Sequence, residues 1–257
     1  MSLRCIAVDY LNTLPLRAGL ARLERAGALS LALAHPSAAT RRFGAGRYDI
    51  GLLPVAAGLE YPEATFVGDH GIVCDGFVGS VGIFSEVPLR EVDTLYLDHD
   101  SRSSVLLAEL LLEHHWDLAP SLVPAPRGYR DRIGGRSAGV IIGDPAIAAR
   151  ARFRYYYDLG EAWREMTGLS FVFAAWLAHE QPGTAFVSRF DEAQRAGLDQ
   201  RLDLARELQG EVPNYNLERY FTRQIRYTID DRARRGRELF LELGAQRRGL
   251  GVPELVA

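Results

Sequence analysis

The sequence predicts an α/β protein whose two lobes enclose a ligand cleft, followed by a helical C-terminal section. Short β-branched or apolar runs alternate with amphipathic segments through the first two thirds of the chain, the pattern of mostly parallel strands joined by helices. After Gln181 the strand signals stop, and Leu198, Leu202, Ala205, Leu208 and later Leu239, Phe240 and Leu243 recur at helical spacing. The 257 residues, set against about 150 per domain, allow one large domain or two modest ones.

Strands are expected near residues 3–8, 29–34, 50–52, 65–73, 78–84, 94–97, 138–142 and 171–175, and helices fall between them. Asn12-Thr13 stands before Leu14-Pro15, where a cap and a first-turn proline suit a helix start. Ser101 to Ser104 precede Val105, and Val105, Ala108, Leu112 with the offset row Leu107 and Leu111 give that helix a broad apolar face ending near His115. There is no low-complexity linker and no internal repeat. Candidate crossings between lobes are the loop Ser85-Glu86-Val87-Pro88 and the return near 171–176. They divide the chain into a discontinuous first lobe, 1–85 plus 176–257, and an inserted second lobe, 86–175. Clefts between such lobes are where small ligands bind.

Composition narrows the function. With 47% hydrophobic and 25% charged residues the chain is too apolar for disorder. Thirty basic residues against 33 acidic ones leave a net charge of -3, and the basic ones form no block, which argues against a nucleic-acid face or a polybasic membrane anchor. Every one of those 30 cations is Arg, a codon-bias signature that also excludes lysine Schiff-base chemistry. Cys5 and Cys74 are too few for a disulfide framework or a zinc site and read as small apolar core residues. The N-terminal residues lack the pattern of an export signal, and no stretch of 18 uncharged apolar residues occurs, so a cytoplasmic location is expected.

Four segments carry candidate chemistry. In Tyr10-Leu11-Asn12-Thr13-Leu14-Pro15-Leu16 a strand end turns into a helix, whose first N–H groups and partial positive charge can hold a carboxylate. Asn12 either donates to such a ligand or caps the helix, and capping is the commoner use. Asp98-His99-Asp100-Ser101-Arg102-Ser103-Ser104 clusters hydroxyls at a helix start beside a guanidinium able to grip a carboxylate with two parallel hydrogen bonds. Only one hydroxyl is needed as a cap. In Ile141-Ile142-Gly143-Asp144-Pro145-Ala146, Asp144 is expected as an N-cap that can also receive a ligand hydroxyl. Gly76-Phe77-Val78-Gly79-Ser80-Val81-Gly82 permits close backbone approach or a bulge, and Ser80 is its reactive side chain.

Other features read as structure. His114 and His115 point about 100 degrees apart on a helix and cannot chelate a metal together. Tyr155-Tyr156-Tyr157 is expected to pack, and the Arg-rich stretch 230–237 to be a solvated helix face. No P-loop, dinucleotide fingerprint, metal cluster or nucleophile elbow is present, so the expected chemistry uses neither cofactor, metal nor covalent intermediate.

Taken together, Tyr10-Leu11-Asn12-x-Leu14-Pro15-Leu16, Ser101-Arg102-Ser103-Ser104, Ile142-Gly143-Asp144-x-Ala146 and the long block Tyr157-Asp158-Leu159-Gly160-x-x-Trp163-x-x-x-Thr167-Gly168-Leu169-x-Phe171-Val172-Phe173-Ala174-x-Trp176 resemble chorismate dehydratase of the futalosine route to menaquinone. The resemblance runs from residue 10 to 176, and the helical tail matches more weakly. It implies the two-lobed type II periplasmic-binding-protein-like fold and a carbon–oxygen lyase that eliminates water from chorismate to give 3-[(1-carboxyvinyl)oxy]benzoate. It implies a small dicarboxylate as partner, with no nucleic acid and no membrane. Asn12 and Ser80 would hold the leaving hydroxyl and the enolpyruvyl group. Ser101, Ser103 and Ser104, with Arg102, would fix the second carboxylate, beside Asp144. A carboxylate of the substrate itself would take the proton. The family often has Thr at the position of Ser103 and Pro at that of Ser170. Two further readings share the fold: 1,4-dihydroxy-6-naphthoate synthase of the same pathway, which the Tyr10-Leu11-Asn12 opening disfavours, and a non-catalytic binding or sensing module for a small carboxylate.

Overall fold

In the computed structural model, residues 2–98 and 101–250 are described; His99 and Asp100 of the second candidate segment lie outside them. Strand β1 (Leu3–Val8) leads through a 3₁₀ turn (Leu11–Thr13) into helix α1 (Leu14–Arg25). Then come β2 (Leu29–Ala34), α2 (Pro36–Gly44), β3 (Ile50–Pro54), β4 (Thr65–Cys74) and β5 (Val81–Ser85). The middle of the chain forms β6 (Thr94–Leu97), α3 (Arg102–His114), β7 (Ser121–Pro124), β8 (Ser137–Ile142), α4 (Gly143–Ala149), β9 (Tyr155–Asp158) and α5 (Leu159–Thr167). The last third begins with β10 (Phe171–Ala178), α6 (Thr184–Asp199) and α7 (Arg201–Leu208). It ends with α8 (Leu217–Arg219), which runs into a π-helical turn (Tyr220–Gln224), then β11 (Arg226–Thr228) and α9 (Asp231–Arg248).

Two sheets result, a six-stranded one in the order β11-β4-β10-β3-β1-β2 and a five-stranded one in the order β7-β6-β8-β5-β9. They are mixed rather than mostly parallel. β1 pairs in parallel with β2 and β3, and β6 with β7 and β8, whereas β10, β11, β5 and β9 pair antiparallel with their neighbours. Apart from β11, the antiparallel strands are those next to the crossings, where the chain changes sheet after β4 and returns after β9.

That sheet membership moves the crossings from their expected places. Strand β5, assigned to the first lobe by a boundary at residue 85, belongs to the second sheet, and β10, assigned to the inserted lobe up to residue 175, belongs to the first. The chain changes sheet within 75–80 and again within 159–170. The cause lies in the glycines: Gly76 and Gly79 have φ of 112° and 77°, so the stretch expected to continue a strand from residue 78 turns instead.

β10 is buried along its whole length, FVFAAWLA, because it lies between β3 and β4 with helices over both faces. Its Trp176 Nε1 donates to Gln194 Oε1 at 2.6 Å, so the only polar atom of that indole is satisfied inside the core. α1 and α6 pack at glycine contacts: a Cβ on Gly19 would come within 1.9 Å of the Ala193 carbonyl oxygen. Cys5 and Cys74 are buried, as their apolar surroundings suggest, and burial pushes the Cys5 thiol pKa up to about 12. The strand β11 interrupts the section expected to be all helical; three residues long, with only Tyr227 buried, it gives too short a period to register in sequence.

Candidate functional site

Where the sheets meet, a cavity with about 560 Å³ of empty space, its mouth included, opens at the carboxyl ends of β1, β3 and β8. Val8, Ile72, Val78, Val81, Ile142 and Phe173 supply apolar walls, and Asn12, Ser80, Ser101, Arg102, Ser103 and Ser104 supply the polar groups. Five of the polar residues expected from sequence are therefore serine or asparagine side chains of one hollow, drawn from segments up to 92 positions apart.

Asn12 reaches the cavity because the chain folds tightly over the end of β1. Thr13 Oγ1 donates to the carbonyls of Val8 and Tyr10, each at 2.8 Å, and the Leu11 N–H is received by the Asp144 carboxylate at 3.3 and 3.4 Å. Helix α1 has no side-chain cap. Asn12 thus does not cap it; the 3₁₀ turn postpones the helix start and leaves the amide in the cavity wall. Asp144 is not the expected N-cap either. It sits in the first turn of α4, outside the cavity lining, and its carboxylate is spent on Leu11. Burial raises its pKa above the usual carboxylate value, with the Leu11 N–H opposing. Gly143 beside it has φ 62°, and a Cβ there would meet the Tyr10 ring at 2.9 Å, so glycine is what allows α4 to close against the β1 turn.

Ser80 is fixed by the crossing itself. The N–H groups of Val78 (3.1 Å) and Gly79 (2.7 Å) donate to the Asp158 carboxylate, which also receives Gly160 N and Glu161 N at 3.0 Å and the Tyr156 hydroxyl at 2.7 Å. One buried carboxylate therefore pins the outgoing crossing to the cap of α5, the start of the returning one. Its pKa is raised by burial, an effect these donors offset. Ser80 O accepts from Gly143 N at 2.8 Å, and Ser80 Oγ accepts from the Tyr220 hydroxyl at 2.8 Å. The Asn12 side chain also interacts with that hydroxyl, whose pKa burial pushes far up, so it stays a protonated donor.

The start of α3 forms the other face. Ser101 is its N-cap residue but caps nothing with its side chain, and its buried hydroxyl has no partner among the described residues. Ser103 Oγ accepts from Ala56 N at 3.0 Å, joining α3 to the turn after β3. The guanidinium of Arg102 is paired with Glu60, so it is less free for a ligand than its position in the sequence suggests; burial lowers its pKa. Asp98 accepts from the Tyr129 hydroxyl at 3.0 Å.

Two residues escape a sequence reading. Asp158 stands inside the long block yet shows its role only when its five donors come from both crossings. Tyr220 lies 140 positions from Ser80 in a helical stretch with no local motif. The features set aside behave structurally: the ring of Tyr156 lies under the Arg150 guanidinium at 4.6 Å, the Tyr157 hydroxyl receives Leu89 N at 2.8 Å, and His115 Nε2 stands 3.3 Å from Glu165. Within 230–237, however, Arg237 is not solvated: its guanidinium lies 4.0 Å from the centroid of the Phe66 ring and its Nε is buried. Among the described residues no group of three His, Cys, Asp or Glu side chains could hold a metal ion, and no helix is long and apolar enough to cross a membrane.

A family model described as menaquinone biosynthesis matches residues 3–246. The chain belongs to that family. Membership carries an enzymatic role in making menaquinone and covers the helical tail, which the sequence motifs matched only weakly. Among solved structures, a protein from Archaeoglobus fulgidus superposes with TM-score 0.72 at 14% identity, covering 96% of this chain and 98% of its own. An ABC transporter from Parabacteroides distasonis gives 0.67 at 18%, covering 98% and 96%. The alkanesulfonate-binding protein SsuA from Xanthomonas axonopodis pv. citri, bound to MOPS, gives 0.66 at 16%, covering 99% and 96%. The fold of this family member is thus the two-lobed, periplasmic-binding-protein-like fold.

Proposed function

We propose that this member of the menaquinone biosynthesis family is a hydro-lyase that converts chorismate to 3-[(1-carboxyvinyl)oxy]benzoate and water. The observation that carries the reading is the pairing, across one cavity, of a helix start suited to an anion with a set of neutral polar side chains. The seat is the start of α3, where no side chain among the described residues caps the first turn and the Ser101 hydroxyl has no partner among them, which favours a carboxylate without a lysine. The neutral side chains are Asn12 and Ser80. Chorismate, with one carboxylate on its ring and a second on the enolpyruvyl arm, needs two such faces.

In the reaction the ring carbon bearing the ether loses its proton, and the C–H electron pair forms the new ring double bond. The hydroxyl on the adjacent carbon leaves with its own pair and takes up a proton to become water. Among the described residues that line the cavity there is no carboxylate: Arg102 is cationic and the other polar groups are neutral. The enolpyruvyl carboxylate of the substrate, folded over the ring, is the base that fits. Because aromatisation drives the elimination, the protein's task is orientation and exclusion of competing reactions. Asn12 and Ser80 would steady the leaving hydroxyl and the enolpyruvyl oxygen; Ser101, Ser103 and Ser104 would hold the ring carboxylate, and Asp144 would hold the Asn12 turn in place.

The test is to mix purified protein with chorismate and follow loss of cyclohexadiene absorbance with identification of the product. Formation of 3-[(1-carboxyvinyl)oxy]benzoate is expected. Tight binding without turnover would overturn the lyase in favour of a carboxylate sensor.

A further inference from the structure

The helical tail places the hydroxyl of Tyr220 behind the cavity wall, against two residues that line it. Tyr220 is fully buried, its hydroxyl donates to Ser80 Oγ at 2.8 Å, and the Asn12 side chain interacts with the same hydroxyl. The two residues assigned to the leaving hydroxyl and enolpyruvyl oxygen are therefore joined through a third. Tyr220 opens a five-residue π-helical turn, a rare backbone form that recurs at functional sites. The turn is held at both ends: Asn216 Oδ1 caps the preceding helix through Arg219 N at 2.7 Å, and Gln224 Oε1 accepts from the Tyr215 hydroxyl at 2.8 Å.

Ser80 Oγ and the Asn12 side chain, both of residues that line the cavity, are tied to this one buried hydroxyl. A side chain held by a partner of its own meets a ligand in one orientation instead of several. From this geometry we infer that Tyr220 is a positioning residue that holds Ser80 Oγ and the Asn12 side chain in one arrangement for the bound ligand. The inference rests on the chorismate reading and deepens it: the hydroxyl of a residue outside the cavity lining orients two within it.

The experiment is a double-mutant cycle of Tyr220→Phe and Ser80→Ala on chorismate turnover. Loss of that tie predicts kcat lowered about 10- to 100-fold in Tyr220→Phe with KM changed less than about threefold. In the Ser80→Ala background the same change should cost at least about threefold less, because one of the two groups Tyr220 acts through is gone. A purely structural Tyr220 would give the same loss in both backgrounds. That outcome, or a single variant within about twofold of wild type, overturns the inference. Should Tyr220→Phe not fold, tyrosine labelled at Cζ gives a second readout. The Tyr220 signal should move on binding 3-[(1-carboxyvinyl)oxy]benzoate in wild type and by less in Ser80→Ala; a wild-type signal that stays still, or an equal shift in both, overturns the inference. Wild-type protein that fails to turn over chorismate overturns the functional reading instead, and if it binds chorismate the cycle is read on Kd.

Discussion

Ser80 and Ser101 are both buried serines on one cavity, yet Ser80 Oγ is bonded to Tyr220 at 2.8 Å while the Ser101 hydroxyl has no partner among the described residues. The first face is assembled from three distant segments, the β1 turn, the crossing at 75–80 and the π-helical turn, and its side chains hold one another in place. The second is a single helix start where Ser103 Oγ and Arg102 have partners in Ala56 and Glu60, and the Ser101 hydroxyl has none among the described residues. A pre-oriented group discriminates between ground and transition states, whereas an unsatisfied donor gains from any anion that reaches it. On the proposed function, the contrast assigns turnover to the first face and affinity to the second.

Four changes would break or sharpen that contrast. The largest effect is expected for Asp158→Ala, which removes the acceptor of four backbone N–H groups and the Tyr156 hydroxyl and unties both crossings from each other. Stranding several buried donors should cost about 3 kcal/mol or more, read as a lower denaturation midpoint or loss of folded protein. A variant as stable as wild type would mean the crossings are held by something else. Next, Asn12→Ala should lower kcat by more than about tenfold with little change in KM, since its amide belongs to the directed face. Retained turnover would remove it from the mechanism. Ser101→Ala should do the opposite, weakening chorismate binding about fivefold, the worth of roughly one hydrogen bond, while kcat holds. An unchanged Kd by calorimetry would show that the seat is not used.

The smallest effect concerns Asp144. Its folded-state pKa is raised by burial, so folding favours the protonated carboxyl. Its contribution is full below the unfolded value of about 3.9 and is lost as pH rises through the folded value. Asp144→Asn keeps an oxygen for the Leu11 N–H but does not titrate, so denaturation midpoints should fall less between pH 4 and 7 than in wild type. Parallel curves would contradict the assignment.

What the sequence made legible follows the same division. β1, β2 and β6 fall where their apolar runs end, and the serines at the start of α3 were found because a helix start with several hydroxyls is a local pattern. The directed face was legible only in part. Asn12 and Ser80 were visible, but capping competed for Asn12, and the 3₁₀ turn that decides against it depends on Asp144, 133 positions from Leu11. Tyr220 was invisible because its five-residue π-helical turn is too short to set a period of its own and its partner Ser80 lies 140 positions away. The crossings were misplaced for a related reason: apolar residues run straight through 78–84, and only the positive φ at Gly79 shows that the chain turns.

The most direct test of two unlike faces on one cavity is a crystal structure with 3-[(1-carboxyvinyl)oxy]benzoate bound. The ring carboxylate should lie within hydrogen-bonding distance of the Ser101 hydroxyl and the first N–H groups of α3, with the ether end against Ser80 and Asn12. A product seated elsewhere, or turned end for end, would contradict the account.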